Sequence, residues 1–296
     1  MQHLEKFLNY LKFEKRFSEH TQISYTTDLN QFIQFAQNKY NCTEPSEVDY
    51  RMIRNWIVQL MDVHNSSRTV NRKLSALKSF YKFLLKEGLV SMNPLNKISS
   101  PKVSKRLPVF VEEKQMNVLL DEIEFGNDYR GQRNKLVVEM FYFTGIRLSE
   151  LMNLRNSDID FHSSTIKVTG KRNKERIIPI TMEFSEELRK FIIFKQKSEL
   201  PGQNIEYFFV GEKGQKLYPK AIYRVINSYL KLVTSIDKKS PHVIRHTFAT
   251  HMLNHGADLN AIKEILGHSN LSATQVYTHN TFEKLTRIYK QAHPRA

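Results

Sequence analysis

Apolar positions recur at helical spacing from the start of the chain. Leu4, Phe7, Leu8 and Leu11 line one face of a first segment, and Ile23, Leu29, Phe32, Ile33 and Phe35 line a second, which Ser18 is placed to cap. The same period predicts a third helix over about 48–61 and a fourth over about 66–86. Amphipathic helices this short must bury their apolar stripes against one another, so residues 1–98 are expected to form a four-helix bundle. In the fourth helix Val70, Leu74, Leu77, Phe80, Tyr81 and Leu84 face inward, and Arg68, Arg72, Lys73, Lys78 and Lys82 stay wet.

Residues 99–107 break the pattern. Ser99, Ser100, Pro101 and Ser104 with Lys102, Lys105 and Arg106 have the composition of an exposed basic linker. Helical periodicity returns in a second domain, 108–296, over about 112–124 and 133–143. Short alternating runs at Ile159, 165–168 and 176–180, joined by turns at 162–164 and 170–174, predict a small antiparallel sheet, and 207–210 reads as one more strand. Helices follow over 219–233, from Pro241, and up to Leu266, with a tail helix whose Phe282, Leu285, Ile288 and Tyr289 share a face. The expected fold is therefore mainly α, a helical bundle plus a mostly helical domain with a small antiparallel β-sheet.

Charge narrows the partners. With 45 Lys and Arg against 30 Asp and Glu, the net charge is +15, which points to a polyanion, nucleic acid first. No apolar run approaches the roughly 18 residues of a spanning helix, and the first residues lack a signal-peptide core, so a cytoplasmic location is expected. Cys42 is the single cysteine, which excludes an intrachain disulfide and a cysteine-based zinc site. His242/His246 and His251/His255 have i, i+4 spacing, but a zinc-protease helix needs Glu after the first His, where Val243 and Met252 stand. Neither a metal nor another cofactor is expected.

The candidate chemistry lies in 240–278. Pro241 suits a first helical position with Ser240 as its cap, and His242 and Arg245 then project from one face a turn apart. A solvated basic face is the other reading of that pair. Gly267 sits where a left-handed residue ends the helix of Leu259, Ile262, Ile265 and Leu266, and it aims His268 from a turn. Ser272 is placed to cap a short helix carrying Tyr277, which alone would read as a packing tyrosine. Upstream, Arg147 opens a helix beside Gly145, free to bind an anion, to pair with Glu150 one turn on, or both. Arg, His, Lys and Tyr together suit a phosphodiester: guanidiniums and imidazoles donate to nonbridging oxygens, and a phenol attacks.

These residues carry a resemblance. His242-Val-Ile-Arg245-His246, Leu266-Gly267-His268 and Tyr277 resemble the C-terminal signature of the tyrosine recombinases. The stretch from Thr144 through Arg147 to Leu151 resembles their first-arginine box, that from Gly170 to Arg176 their lysine hairpin, and that from Ser66 to Tyr81 a helix of the Xer branch. The ending, from Ala292 to Ala296, is similar too. The match spans nearly the whole chain, with its boxes in order.

The resemblance implies a site-specific recombinase that cuts and rejoins duplex DNA through a 3′-phosphotyrosyl intermediate. Tyr277 would be the nucleophile, Arg147 and Arg245 would hold the phosphate, His242 and His268 would donate or move a proton, and Lys171, singled out by family position alone, would protonate the leaving group. Lys174 and Arg176 read as a solvated or DNA-grazing turn. The resemblance gives the fourth helix major-groove work, in which Arg68, Thr69, Asn71, Arg72, Lys73 and Ser75 can take part, while Lys102, Lys105 and Arg106 cross the backbone of DNA that two domains encircle. Implied partners are a two-armed recombination site, a homo- or hetero-tetramer on DNA that can include a paralogous recombinase, and a DNA translocase as activator. No membrane is implied. The tail helix either packs on its own domain or docks on a neighbouring subunit. Chromosome-dimer resolution is the role favoured over integration or inversion of mobile elements. A type IB topoisomerase, or a DNA-binding architectural protein without chemistry, stands further off.

Overall fold

A computed structural model describes residues 2–103, 109–170, 173–198, 200–202, 206–267 and 279–295. The chain divides into two compact units, Met1–Arg106 and Leu107–Ala296. Both are mainly helical, and the only sheet among the described residues is small and antiparallel.

In the first unit, α1 (Gln2–Asn9) runs into a π-helical turn and is followed by α2 (Glu19–Tyr40), α3 (Tyr50–Asp62) and α4 (Ser67–Lys86). Leu29, Phe32, Ile53, Trp56, Val70, Leu77 and Leu84 form its core with Phe7 of α1. Helix starts follow capping chemistry: Asp49 accepts from the Met52 amide at 2.9 Å, and Ser66 from the Thr69 amide at 3.2 Å. Ser18 occupies the N-cap position of α2, but its hydroxyl pairs with that of Thr21 at 2.9 Å and does not cap the backbone.

Lys73 departs from the wet face expected of it. It is buried against the equally buried Asp28 of α2, 3.1 Å away, and also meets Gln31. Arg72, half exposed, reaches Asp28 as well, and Ser24 at 2.5 Å. Asp28 must stay paired once buried, because an isolated carboxylate is costly in an apolar setting.

The second unit is built around α6 (Tyr129–Thr144), buried along most of its length and packed against α8 (Met182–Lys197), α9 (Pro219–Val233) and α10 (Pro241–Asn254), while α5 (Glu113–Asp121) packs on α9. Helix α8 is not among the helices that the sequence pattern predicts. Thr181 caps it through the Phe184 amide at 3.1 Å, and Phe184, Leu188 and Phe191 bury its inner face. After α7 (Leu148–Asn153) come β1 (Ile159–Asp160), β2 (Thr165–Thr169) and β3 (Glu175–Pro179) in that spatial order, with Ile166 opposite Ile178 and Val168 opposite Arg176.

The stretch 207–210 is not a strand of this sheet. It makes isolated bridges, Arg155 with Tyr207 and Val210 with Lys216, and the buried Lys195 ammonium donates to the Tyr207 and Phe208 carbonyls at 2.9 and 3.1 Å. Finally, α11 (Leu259–Leu266) leads toward α12 (His279–Ala292). In this chain α12 packs on its own unit, with Leu285, Tyr289 and Ala292 in the core.

Candidate functional site: an arginine cluster at the end of α11

Helix α6 ends on Gly145, whose φ of +57° favours glycine. A Cβ there would also lie 2.6 Å from Phe248 and 2.7 Å from Leu266, so space forbids a side chain as firmly as the backbone does. The turn delivers Arg147 to the N-cap position of α7 and Glu150 one turn later. Glu150 accepts from the Arg147 amide at 2.8 Å and from its Nη1 at 2.6 Å. The ion-pair reading of Arg147 thus holds.

Arg176 does not sit on a solvated turn. Alternation along β3 places it on the inner face with Ile178, 5% exposed. Its two Nη atoms donate to both oxygens of Glu150 at 2.7 and 2.9 Å, and its Nε donates to the Ile265 carbonyl at 2.6 Å. Arg245, nearly buried on α10, donates to the Gly145 carbonyl and, at 2.7 Å, to that of Leu266. Arg147 reaches the Gly267 carbonyl at 2.6 Å. Three successive carbonyls, 265 to 267, therefore each accept from a different arginine. These carbonyls have no partner within a helix that stops at Gly267, φ +65°, and they form the negative end of its dipole.

One carboxylate faces three guanidiniums, so the cluster carries unmet positive charge. Burial alone would raise the Glu150 pKa, but Arg176 and then Arg147 outweigh it and hold the carboxyl below its ordinary value. For Arg245, burial and then the charges of Arg147 and Arg176 lower the pKa to about 9, which leaves it cationic at neutral pH. His242 projects one turn before Arg245 on α10. Partial desolvation, and then Arg245, Lys238 and Arg147, lower its pKa, so the imidazole is neutral at pH 7 and can donate or accept one proton. Ser240 does not cap α10 with its side chain: Oγ is buried without a hydrogen-bond partner among the described residues, and its carbonyl accepts from the Val243 amide at 2.9 Å.

The structure thus gathers Arg147, Arg245 and His242 of the expected site and adds Arg176 and Glu150. Lys171, His268, Ser272 and Tyr277 lie outside the described residues, as do Lys105 and Arg106. Lys174, Lys102 and Arg68 are exposed. Thr69 pairs with Ser66 at 3.0 Å, and Asn71 donates to the Pro101 carbonyl at 2.9 Å. Among the described residues no cluster of His, Cys, Asp and Glu is arranged to hold a metal. His255 instead meets Glu113 at 3.0 Å, and His251 Nδ1 meets the Tyr142 hydroxyl at 3.0 Å.

A buried, arginine-built anion site in a basic chain of two helical units is equipment for DNA phosphoryl transfer. The family model described as "Phage integrase family" matches residues 109–284, and "Phage integrase, N-terminal SAM-like domain" matches 4–88. The chain belongs to the phage integrase family: it is a tyrosine recombinase, a site-specific enzyme that cuts and rejoins DNA. Among its relatives, the protein named Tyrosine recombinase XerC of Anoxybacillus flavithermus is 39% identical over 298 residues, covering 99% of this chain and 98% of that one. Tyrosine recombinase XerC of Staphylococcus epidermidis is 39% identical over 292 residues, covering 99% and 97%. Among solved structures, XerH bound to palindromic difH substrate, a post-cleavage complex, superposes with a TM-score of 0.69 at 20% identity, covering 99% of this chain and 92% of that one. The Tn1549 transposon integrase in complex with circular intermediate DNA gives 0.69 at 19%, covering 95% and 98%. Identities this low speak to the fold alone.

Proposed function

We propose that Tyr277 attacks the scissile phosphorus, forming a 3′-phosphotyrosyl bond as the bond to the 5′ oxygen breaks. Lys171 protonates that oxygen, because an alkoxide is too basic to leave unassisted. Arg147 and Arg245 hold the nonbridging oxygens, and His242 and His268 donate to the phosphate or move a proton. A 5′ hydroxyl from a second strand reverses the step, and the covalent link conserves the phosphodiester energy, so ATP is not consumed. The observation that supports this reading best is the excess of guanidinium over carboxylate at Glu150, which favours a dianionic pentacovalent phosphorus over the monoanionic ground-state diester.

In this proposal 1–98 form a core DNA-binding domain, with the exposed Arg68 beside Thr69 and Arg72 at the groove, and the basic linker 99–107 crosses the backbone before the catalytic domain 108–296. The protein works in the cytoplasm as a homo- or hetero-tetramer on a two-armed site, and it resolves chromosome dimers with a DNA translocase as activator. Full-length similarity to proteins named XerC supports that role. Helix α12 is proposed to exchange onto a neighbour, since an identical subunit offers the same seat for Leu285 and Tyr289.

The test is covalent capture on a nicked duplex selected from random DNA by binding, in EDTA. Wild type is expected to yield a protein-linked 3′ strand, and Tyr277→Phe none while binding normally. An adduct with Tyr277→Phe would refute the assignment.

A further inference from the structure

Arg176 is buried and commits all three of its nitrogens inward, both Nη to Glu150 and Nε to the Ile265 carbonyl. Yet both groups it grips lead directly to Arg147 and Arg245. Glu150 is the carboxylate that orients Arg147, and Ile265 precedes the two carbonyls that orient Arg245 and Arg147. Gly267 packs on the Arg176 side chain so closely that a Cβ there would lie 3.0 Å from its Cδ, so the end of α11 is seated on this arginine as well as tethered to it.

We propose that Arg176 is a positioning residue for strand cleavage, locking Glu150 and the end of α11 in the register from which Arg147 and Arg245 engage the phosphate. This rests on the reading of those two arginines as the phosphate-binding pair. Removing the guanidinium leaves the Ile265 carbonyl without that donor and frees the last turn of α11 to shift. A displacement of about 1 Å in groups that orient a reacting centre costs on the order of 100-fold in rate.

A merely structural arginine would not change the pH profile, whereas this one must. The charged groups facing Glu150 are Arg147 from the start of α7, Arg176 from β3 and Arg245 from α10; α11 presents carbonyls, and Lys171 and Arg172 of the β2–β3 turn lie outside the described residues. With Arg176 present the carboxyl is held ionised. Without it, burial is opposed mainly by Arg147, the carboxyl titrates at higher pH, and below that pH a protonated Glu150 releases Arg147.

The experiment uses the full-length chain on the nicked duplex in EDTA, comparing single-turnover adduct formation across roughly pH 5 to 9. Arg176→Gln is expected to bind DNA within about twofold of wild type but to form adduct about 10- to 100-fold more slowly, with a new acid-side loss of rate. Arg176→Lys, which keeps the charge but not the fork, is expected to remove the acid-side loss and recover part of the rate. Should Arg176→Gln fold poorly, the Lys variant and the Arg176→Gln change made on a Glu150→Gln background still decide: the two Gln changes are expected to be non-additive. Additive effects, a uniform loss at every pH, or a near-wild-type rate for Arg176→Gln would overturn the proposal. If instead wild type forms no adduct, or Arg147→Ala forms it normally, the phosphate-site reading itself fails.

Discussion

The turn at Gly145 offers a quantitative test of how tightly the site is built. Gly145→Ala imposes two separate penalties. An L-residue held at φ +57° costs roughly 1–2 kcal/mol. Its Cβ also meets Phe248 at 2.6 Å and Leu266 at 2.7 Å, both buried side chains that cannot swing away, and overpacking of this kind costs about 1–3 kcal/mol. The sum is about 2–5 kcal/mol, and for a unit of this size each kcal/mol lowers Tm by roughly 2–4 °C, so a fall of about 4–20 °C is expected. Gly256→Ala in the same unit is the control: φ is +84°, but nothing lies within 4 Å of the added methyl, and only the backbone penalty applies. Thermal unfolding of the three proteins, followed by circular dichroism, measures the difference. Because the Gly145 carbonyl also holds Arg245, adduct formation is expected to fall beyond what unfolding explains, even well below Tm. If Gly145→Ala melted with Gly256→Ala, the close packing of this turn would be wrong.

Arg147→Ala or Arg245→Ala is expected to cut adduct formation on the order of 10²- to 10³-fold with DNA affinity largely kept, read by capture gels and filter binding. Asp28→Ala strands the buried Lys73, and is expected to destabilise the first unit by about 3–5 kcal/mol in urea titrations, more than Lys73→Met. His293 is buried on Tyr142 and its pKa is pushed down to about 4 from 6.5, mainly by burial. An unfolded chain binds that proton first, so the contribution of His293 is complete above pH 6.5 and up to about 3 kcal/mol is lost as pH falls to 4. Glu139, raised to about 7, works in the opposite direction, so the comparison is between wild type and His293→Gln, whose acid-side loss of stability is expected to be smaller. DNA binding is expected to weaken steeply with added salt as phosphate contacts release counterions, visible as a linear log–log slope.

Periodicity alone laid out most helices and the three-stranded sheet, because each has one apolar face and a cap or breaker beside it. What it missed has a common cause. Lys73 shares the helical face of Val70 and Leu77, and Arg176 shares the strand face of Ile178, but the charge of each points to solvent. The acid that makes such burial affordable lies far away in the chain: Asp28 for one, Glu150 for the other. Alternation in the stretch from Glu175 to Pro179 already carried the signal for Arg176. The run 207–210 looks like a strand because it is buried, yet its carbonyls find the Lys195 ammonium instead of a neighbouring strand. Of the site, Arg147, Glu150, His242 and Arg245 were legible from one-turn spacings, whereas the three carbonyls at the end of α11 are backbone groups, on which side-chain identity is silent.

Whether this arginine cluster serves a tyrosine nucleophile is decided by peptide mapping of the captured adduct. After nuclease trimming and protease digestion, mass spectrometry is expected to find a nucleotide joined through its 3′ phosphate to the peptide carrying Tyr277. A nucleotide on any other residue, or one joined through a 5′ phosphate, would contradict the assignment of Tyr277 as nucleophile.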